Sequence, residues 1–221
     1  MIFTISAYRA EAESFLKISN FVADQSISEF QVFRSKHVVL GISGEGKRRA
    51  EQLTGLLISR YVIELGLESS LWFNFGIAGS GSHELGSLVY ANEVIDVETG
   101  THWELSPRKT GNEVVATLNT VIEPSREYQE GMIYDMEASG ILNMLSRHSL
   151  IRQALVLKLI SDGSDHPFFC VTKSDIVKLL SDTEPKVRSI FHALSQPYRS
   201  RIGDRKPDFG RHNSIRQYGS K

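Results

Sequence analysis

Apolar runs alternate with stretches in which apolar residues recur every three or four positions, which predicts strands alternating with helices. IFTISAY, near the N-terminus, reads as a strand, with a helix from about Ala10 to Ala23 behind it. EFQVFRS and HVVLGIS alternate in the way of a hairpin broken near Ser35 and Lys36, and a helix follows from about Lys47 to Leu65. LWFNFGIAG, SLVYANEVID and EVVATLNTVI read as further strands, with a polar stretch from Glu98 to Asn112 before the last of them. A helix from Met136 to about Arg147 precedes the buried strand ALVLKLIS. The final helix runs from about Lys173 to Ser195, capped at Thr172 or Ser174. The pattern is that of an α/β sheet protein of one large domain.

Three strands run into loops rich in glycine or acid, GISGEGK, GIAGSGS and SDGSD. In open α/β sheets ligands gather beyond the carboxyl ends of the strands, so the coincidence matters more than any one loop. Gly41 to Arg48 comes close to a phosphate-binding P-loop, with Gly46 and Lys47 correctly spaced. Arg48 stands where a magnesium-binding hydroxyl belongs, however, and Glu45 puts negative charge among the phosphate oxygens. An NTPase is excluded on those two departures, and a glycine turn into a helix N-terminus remains. Gly76 to Ser82 is either backbone lying close to a ligand or a turn. Asp162, delivered by a buried strand, is either a general acid or the start of an Asx-turn around Gly163. In YDMEASG, Asp135 suits a helix N-cap, and Glu137 favours the positive end of the same helix.

Composition narrows the classes. Of 221 residues 41% are hydrophobic and 23% charged, the balance of an ordinary globular protein. The formal charge of −1 gives no global reason to expect nucleic acid or an acidic membrane as partner. Charge is uneven, though: from Pro197 onward seven basic residues face two acids, a net of +5 against −6 for the rest. Residues 198–221 therefore read as a basic, solvated extension appended to a domain of residues 1–197. The lone Cys170 cannot form an internal disulfide, which suits a reducing cytoplasm. No apolar run reaches the roughly 20 residues that span a bilayer. No His, Cys and Asp cluster has metal-ligand spacing, and no cofactor is expected.

Taken in order, ISAYRAEAE, SGEGK, FNFGIAGSG, ELGSLVYANEVID, YDMEASGI and LKLISDGSD resemble the nucleoside phosphorylase superfamily, nearest to the 5′-methylthioadenosine/S-adenosylhomocysteine nucleosidases. The specific part is a Met-Glu-Ala helix start followed about 25 residues later by a strand ending in Ser-Asp. The resemblance implies a three-layer αβα sandwich around a mixed twisted sheet, and cleavage of a purine nucleoside's N-glycosidic bond. It places Asp162 as the acid that protonates the leaving base and Glu11 as the acid that activates water. Glu137 would accept from the ribose hydroxyls, and Met136 would pack beneath the sugar. Gly76, Ile77 and Ala78 would line the substrate, and Arg9 and Gly44 would lie on the nucleophile or phosphate side. Ile77 replaces a small hydroxyl residue of that family, and the stretch before YDMEAS is short, leaving Trp103 or Tyr128 to stack on the base. Water is the expected nucleophile, because Glu11 is negative and only Arg9 and Lys47 offer cations for phosphate. Phosphorolysis is the alternative, and a nucleoside-binding protein without catalysis a third reading. A homodimer or higher homo-oligomer is implied by the resemblance alone.

Overall fold

The computed structural model describes residues 1–18, 20–62, 70–107 and 114–202, and the side chains of all of these except 197–202. The Glu98–Asn112 stretch and the helix ending near Leu65 extend in part beyond the described residues, and of the basic extension only residues 198–202 are described.

Apolar strands assemble into one mixed sheet. β1 (Ile2–Ser6) lies between β4 (Val38–Ile42) and β5 (Leu71–Ser80), parallel to both. β5 is also parallel to β10 (Ala154–Gly163), so four neighbouring strands point their carboxyl ends to one edge. The pattern of continuous apolar residues in these strands follows from burial on both faces. β3 (Gln31–Arg34) forms the expected hairpin with β4, and β2 (Val22–Ala23) adds to its outer side. Beyond β10 the sheet continues antiparallel into β6 (Leu88–Asp96), then parallel through β8 (Val114–Thr120) to β9 (Met132–Asp135). β9 meets the end of β5 at Gly79–Tyr134 and Ser80–Ile133. β7 (His102–Glu104) pairs with β6.

Helices cover both faces. α2 (Lys47–Leu57) and α3 (Ala138–Arg147) close a core in which Phe3 stacks on Trp72, with ring centroids 4.2 Å apart. On the other face Phe15 of α1 (Arg9–Leu16) meets Phe73, Phe75 and Phe191 of α4 (Lys173–Ile202) edge-on or nearly so. Among the described residues no helix is long and apolar enough to cross a membrane.

Boundaries differ from the pattern in instructive ways. The first helix stops at Leu16 rather than near Ala23, because Val22 and Ala23 are taken up as sheet edge. α2 ends at Leu57 and passes into a π-turn over Ile58–Val62. α3 begins at Ala138 rather than Met136, since Met132–Asp135 pair as a strand and hold the chain extended up to the helix. β7 and β9 are additional to the predicted elements, both being too short to show a period. α4 continues past Ser195 to Ile202. Its N-cap is Thr172, whose hydroxyl accepts the Asp175 N–H while the Asp175 carboxylate accepts the Thr172 N–H, a capping box.

α2 and α3 touch through Gly140, where an added Cβ would sit 2.0 Å from the Lys47 carbonyl oxygen. Ala normally improves a helix by about 1 kcal/mol over Gly. Here the backbone clash outweighs that gain. Gly140→Ala is expected to lower stability by about 1–3 kcal/mol, the usual range for overpacking, read from urea unfolding midpoints.

Candidate functional site

The parallel strands β1, β4, β5 and β10 deliver four loops to one edge, and a cleft opens there. Ala7, Tyr8 and Glu11 come from β1 and α1, and Glu45 from the turn after β4. Ile77, Ala78 and Gly79 come from β5, and Asp162 from β10. Asp135, Met136 and Glu137 enter from the end of β9, and Tyr128 from the connection between β8 and β9.

Glu11 sits at the N3 position of α1 and faces inward. One carboxylate oxygen accepts the N–H groups of Ala7 at 2.8 Å and Tyr8 at 2.9 Å, and the other accepts the Ile77 N–H at 3.0 Å. The residue thus braces its own helix start and reaches across β5. A carboxylate offers about four acceptor positions, so roughly one stays available to a ligand or water. Burial pushes its carboxyl up, against the pull of the backbone donors and Lys158. Gly76 sits directly over it, for a Cβ there would come within 3.1 Å of the carboxylate.

At the start of α3 the two acids of YDMEASG divide. Asp135 is buried, accepting the Ala138 N–H at 2.9 Å and the Thr120 hydroxyl at 2.7 Å. Glu137 occupies the N-cap position but does not cap. Its carboxylate instead accepts the Gly46 N–H at 2.8 Å, joining α3 to the glycine turn before α2. Burial first, then the nearby Asp135, push Glu137 up to about 7, while Lys158 and the Gly46 N–H pull the other way. Met136 lines the cleft beside it.

Asp162 follows a bulge: the β10–β5 register shifts between Ile160 and Asp162, which sets Asp162 opposite Gly79. One of its oxygens accepts the Ser161 hydroxyl and the other the Tyr128 hydroxyl, each at 2.6 Å. Only glycine fits at position 79, since a Cβ would meet Asp162 at 2.4 Å and the Tyr128 ring at 2.5 Å. Tyr128 also meets Tyr134 edge-on at 5.6 Å. Burial and the bond to Asp162 raise the Tyr128 hydroxyl well above its ordinary pKa, so it remains a donor.

Several expected residues lie elsewhere. Arg9 is exposed, paired with Glu13 at 3.1 Å and lying over the Phe33 ring, and does not line the cleft. Gly44, with φ at +77°, lines a separate groove with Arg49 and Phe30. The Lys47 ammonium sits 2.8 Å from Asp96 and 2.6 Å from Glu98. Burial works against its charge, but those two carboxylates outweigh it and hold its pKa above the ordinary value. Of the two candidate stacking aromatics, Tyr128 lines the cleft and Trp103 packs against the core. Asp165 is exposed.

Three participants carry little signal in the sequence. Tyr8 and Glu45 form a lip, the Tyr8 hydroxyl donating to the Glu45 carboxylate, and nothing local marks Tyr8 for that place. Lys158 is the third. It is 1% exposed and its ammonium lies 2.7 Å from Asp135. A single charge inside ALVLKLIS is the signal that could have found it.

Solved structures share this arrangement of sheet and helices. Solved structures similar to the chain include S-adenosylhomocysteine nucleosidase from Streptococcus pyogenes, in complex with 5-methylthiotubericidin, with a TM-score of 0.71 at 15% identity, covering 87% of this chain and 96% of that one. The 5′-methylthioadenosine/S-adenosylhomocysteine nucleosidase from Neisseria meningitidis, in complex with methylthio-immucillin-A, gives 0.68 at 17%, covering 87% and 98%. A futalosine hydrolase mutant from Helicobacter pylori gives 0.71 at 12%, again covering 87% and 98%. No protein-family model and no curated protein matches the chain. At these identities the likeness establishes the fold.

The raised Glu137 has a consequence for stability. Its carboxyl moves from an ordinary value of 4.5 to about 7 on folding. Between those values the folded state holds a proton that the unfolded state releases, so this contribution is full below about pH 4.5 and is lost as pH rises through about 7. Glu11, also raised, acts with the same sign. Thermal unfolding at pH 5 and pH 8 checks this: Glu137→Gln is expected to lose less stability across the interval than the wild type. Parallel losses would contradict it.

Proposed function

We propose that the chain is a purine nucleosidase, cleaving the N-glycosidic bond of a nucleoside of the methylthioadenosine or S-adenosylhomocysteine type with water. The observation that carries this reading is the meeting of Glu11, Glu137 and Asp162 around one cleft at the carboxyl ends of the parallel strands. Cleavage proceeds through a sugar with oxocarbenium character, and each acid has a separate part in it. Asp162, beside Tyr128 at one end, donates or shares a proton with the departing base. Glu137 in its ionised form accepts from the ribose diol and stabilises positive charge developing on the ring. Met136 packs against the sugar, and Ile77 and Ala78 complete the wall. Glu11, held by three backbone donors, orients a water and takes its proton.

Water suits this site better than phosphate. The two cations that could hold phosphate, Arg9 and Lys47, are engaged with Glu13 and with Asp96 and Glu98. A phosphate beside Glu11 would also meet a like charge. The similar structures include both an S-adenosylhomocysteine nucleosidase and a futalosine hydrolase. We further place residues 1–197 in one catalytic domain of three αβα layers, followed by a basic extension. A cytoplasmic homo-oligomer completes the reading.

Base release from adenosine, inosine, methylthioadenosine and S-adenosylhomocysteine, followed with and without phosphate, tests the proposal. Phosphate-independent release is expected for at least one of them. Asp162→Asn and Glu11→Gln should each lower kcat by roughly 10²–10⁴-fold, the usual contribution of general acid–base catalysis. Turnover untouched by Asp162→Asn would remove the mechanism. Binding of all four nucleosides without release would make the chain a nucleoside-binding protein.

A further inference from the structure

One buried cation is left unused by this chemistry. Lys158 lies mid-strand in β10, four residues before Asp162, with its side chain 1% exposed. Its neighbours on the same face, Val156 and Ile160, pack into the core beneath α2 and α3. A lysine placed there for packing alone would be a poor choice, because burying an ammonium is costly unless it is paired. Its partner is Asp135, equally buried, at 2.7 Å.

Asp135 connects that charge to the cleft. The carboxylate oxygen that meets Lys158 also accepts the N–H of Ala138, the first residue of α3, while its other oxygen accepts the Thr120 hydroxyl. With the helix start capped from two residues upstream, Glu137 at the N-cap position is released from capping and turns to the Gly46 N–H. We propose that Lys158 is a positioning residue of this site: acting through Asp135, it fixes the start of α3 and with it the place of Glu137 in the cleft. The proposal deepens the nucleosidase reading, in which Glu137 receives the ribose.

The groups that face Glu137 from every side determine what each substitution should do. Asp135 lies two residues before it, Glu11 reaches in from α1, Tyr8 lies near, Lys158 approaches from β10 and the Gly46 N–H from the turn after β4. Asp135 and Glu11 disfavour the ionised form of Glu137, whereas Lys158 favours it. Removing Lys158 and removing the charge of Asp135 should therefore act in opposite directions.

The test is a carbon-13 NMR titration of the glutamate side-chain carboxyls, with the Glu137 signal identified by its absence in Glu137→Gln. In Lys158→Met the Glu137 midpoint should rise by roughly one pH unit or more, and in Asp135→Asn it should fall by a similar amount. Lys158→Arg should restore a midpoint near that of the wild type. Where a nucleoside is turned over, the acid limb of kcat/KM should move with the same signs. The titration needs no turnover, so a chain that cleaves no nucleoside overturns the functional reading while leaving this inference to its own result. Midpoints that move together, or not at all, overturn the inference. If Lys158→Met fails to fold, Asp135→Asn decides, and a midpoint that stays or rises there counts against the proposal.

Discussion

The site depends on how negative charge is kept beneath a cleft floored by an apolar sheet. Asp135 and Glu11 are buried and Glu137 is partly so, while Lys158 is the cation buried among them. Isolated carboxylates in such a place would be far too costly, so each has a specific compensation. Asp135 has Lys158, the Ala138 N–H and the Thr120 hydroxyl. Glu11 has three backbone N–H groups. Glu137 accepts one backbone N–H, and burial together with the nearby Asp135 raises its carboxyl to about 7. Breaking a buried ion pair by removing one partner commonly costs about 3–5 kcal/mol. The Lys158–Asp135 pair is therefore a structural commitment as well as an electrostatic one.

Close backbone approaches bring the remaining pieces within reach of that centre. Gly140 lets α3 lie on the Lys47 carbonyl, which sets the glycine turn where its N–H meets Glu137. Gly79 allows Asp162 and Tyr128 to meet over β5, and Gly76 leaves room for Glu11. Lys47, tied to Asp96 and Glu98, and Ser139, bonded to Asp96 at 3.0 Å, link the same two helix starts to the end of β6. The starts of α2 and α3 are thus joined to the end of β6 through polar contacts at one edge, where the cleft opens.

Much of this is legible in the sequence, and the parts that are not share a cause. Long apolar strands announce themselves by period, which is why β1, β5, β6, β10 and the hairpin fall where expected. β7 and β9, with three and four residues, are too short for a period, and their pairing is decided by partners distant in sequence. YDMEASG and SDGSD stand out because acids at the ends of apolar elements need an explanation. Tyr8 and Glu45 are invisible in the same sense, since each acquires its place only when loops from different strands converge. Arg9 goes the other way. It lies two residues from Glu11, but on a helix those positions point to different faces, and it ends on the surface over Phe33.

The central claim is that this cleft breaks a glycosidic bond with water. The most direct measurement is the mass of the sugar product when a nucleoside is incubated with the protein in the presence of both water and excess inorganic phosphate. The free sugar is expected, formed together with the purine base. A sugar 1-phosphate, or nucleoside recovered intact, would contradict it.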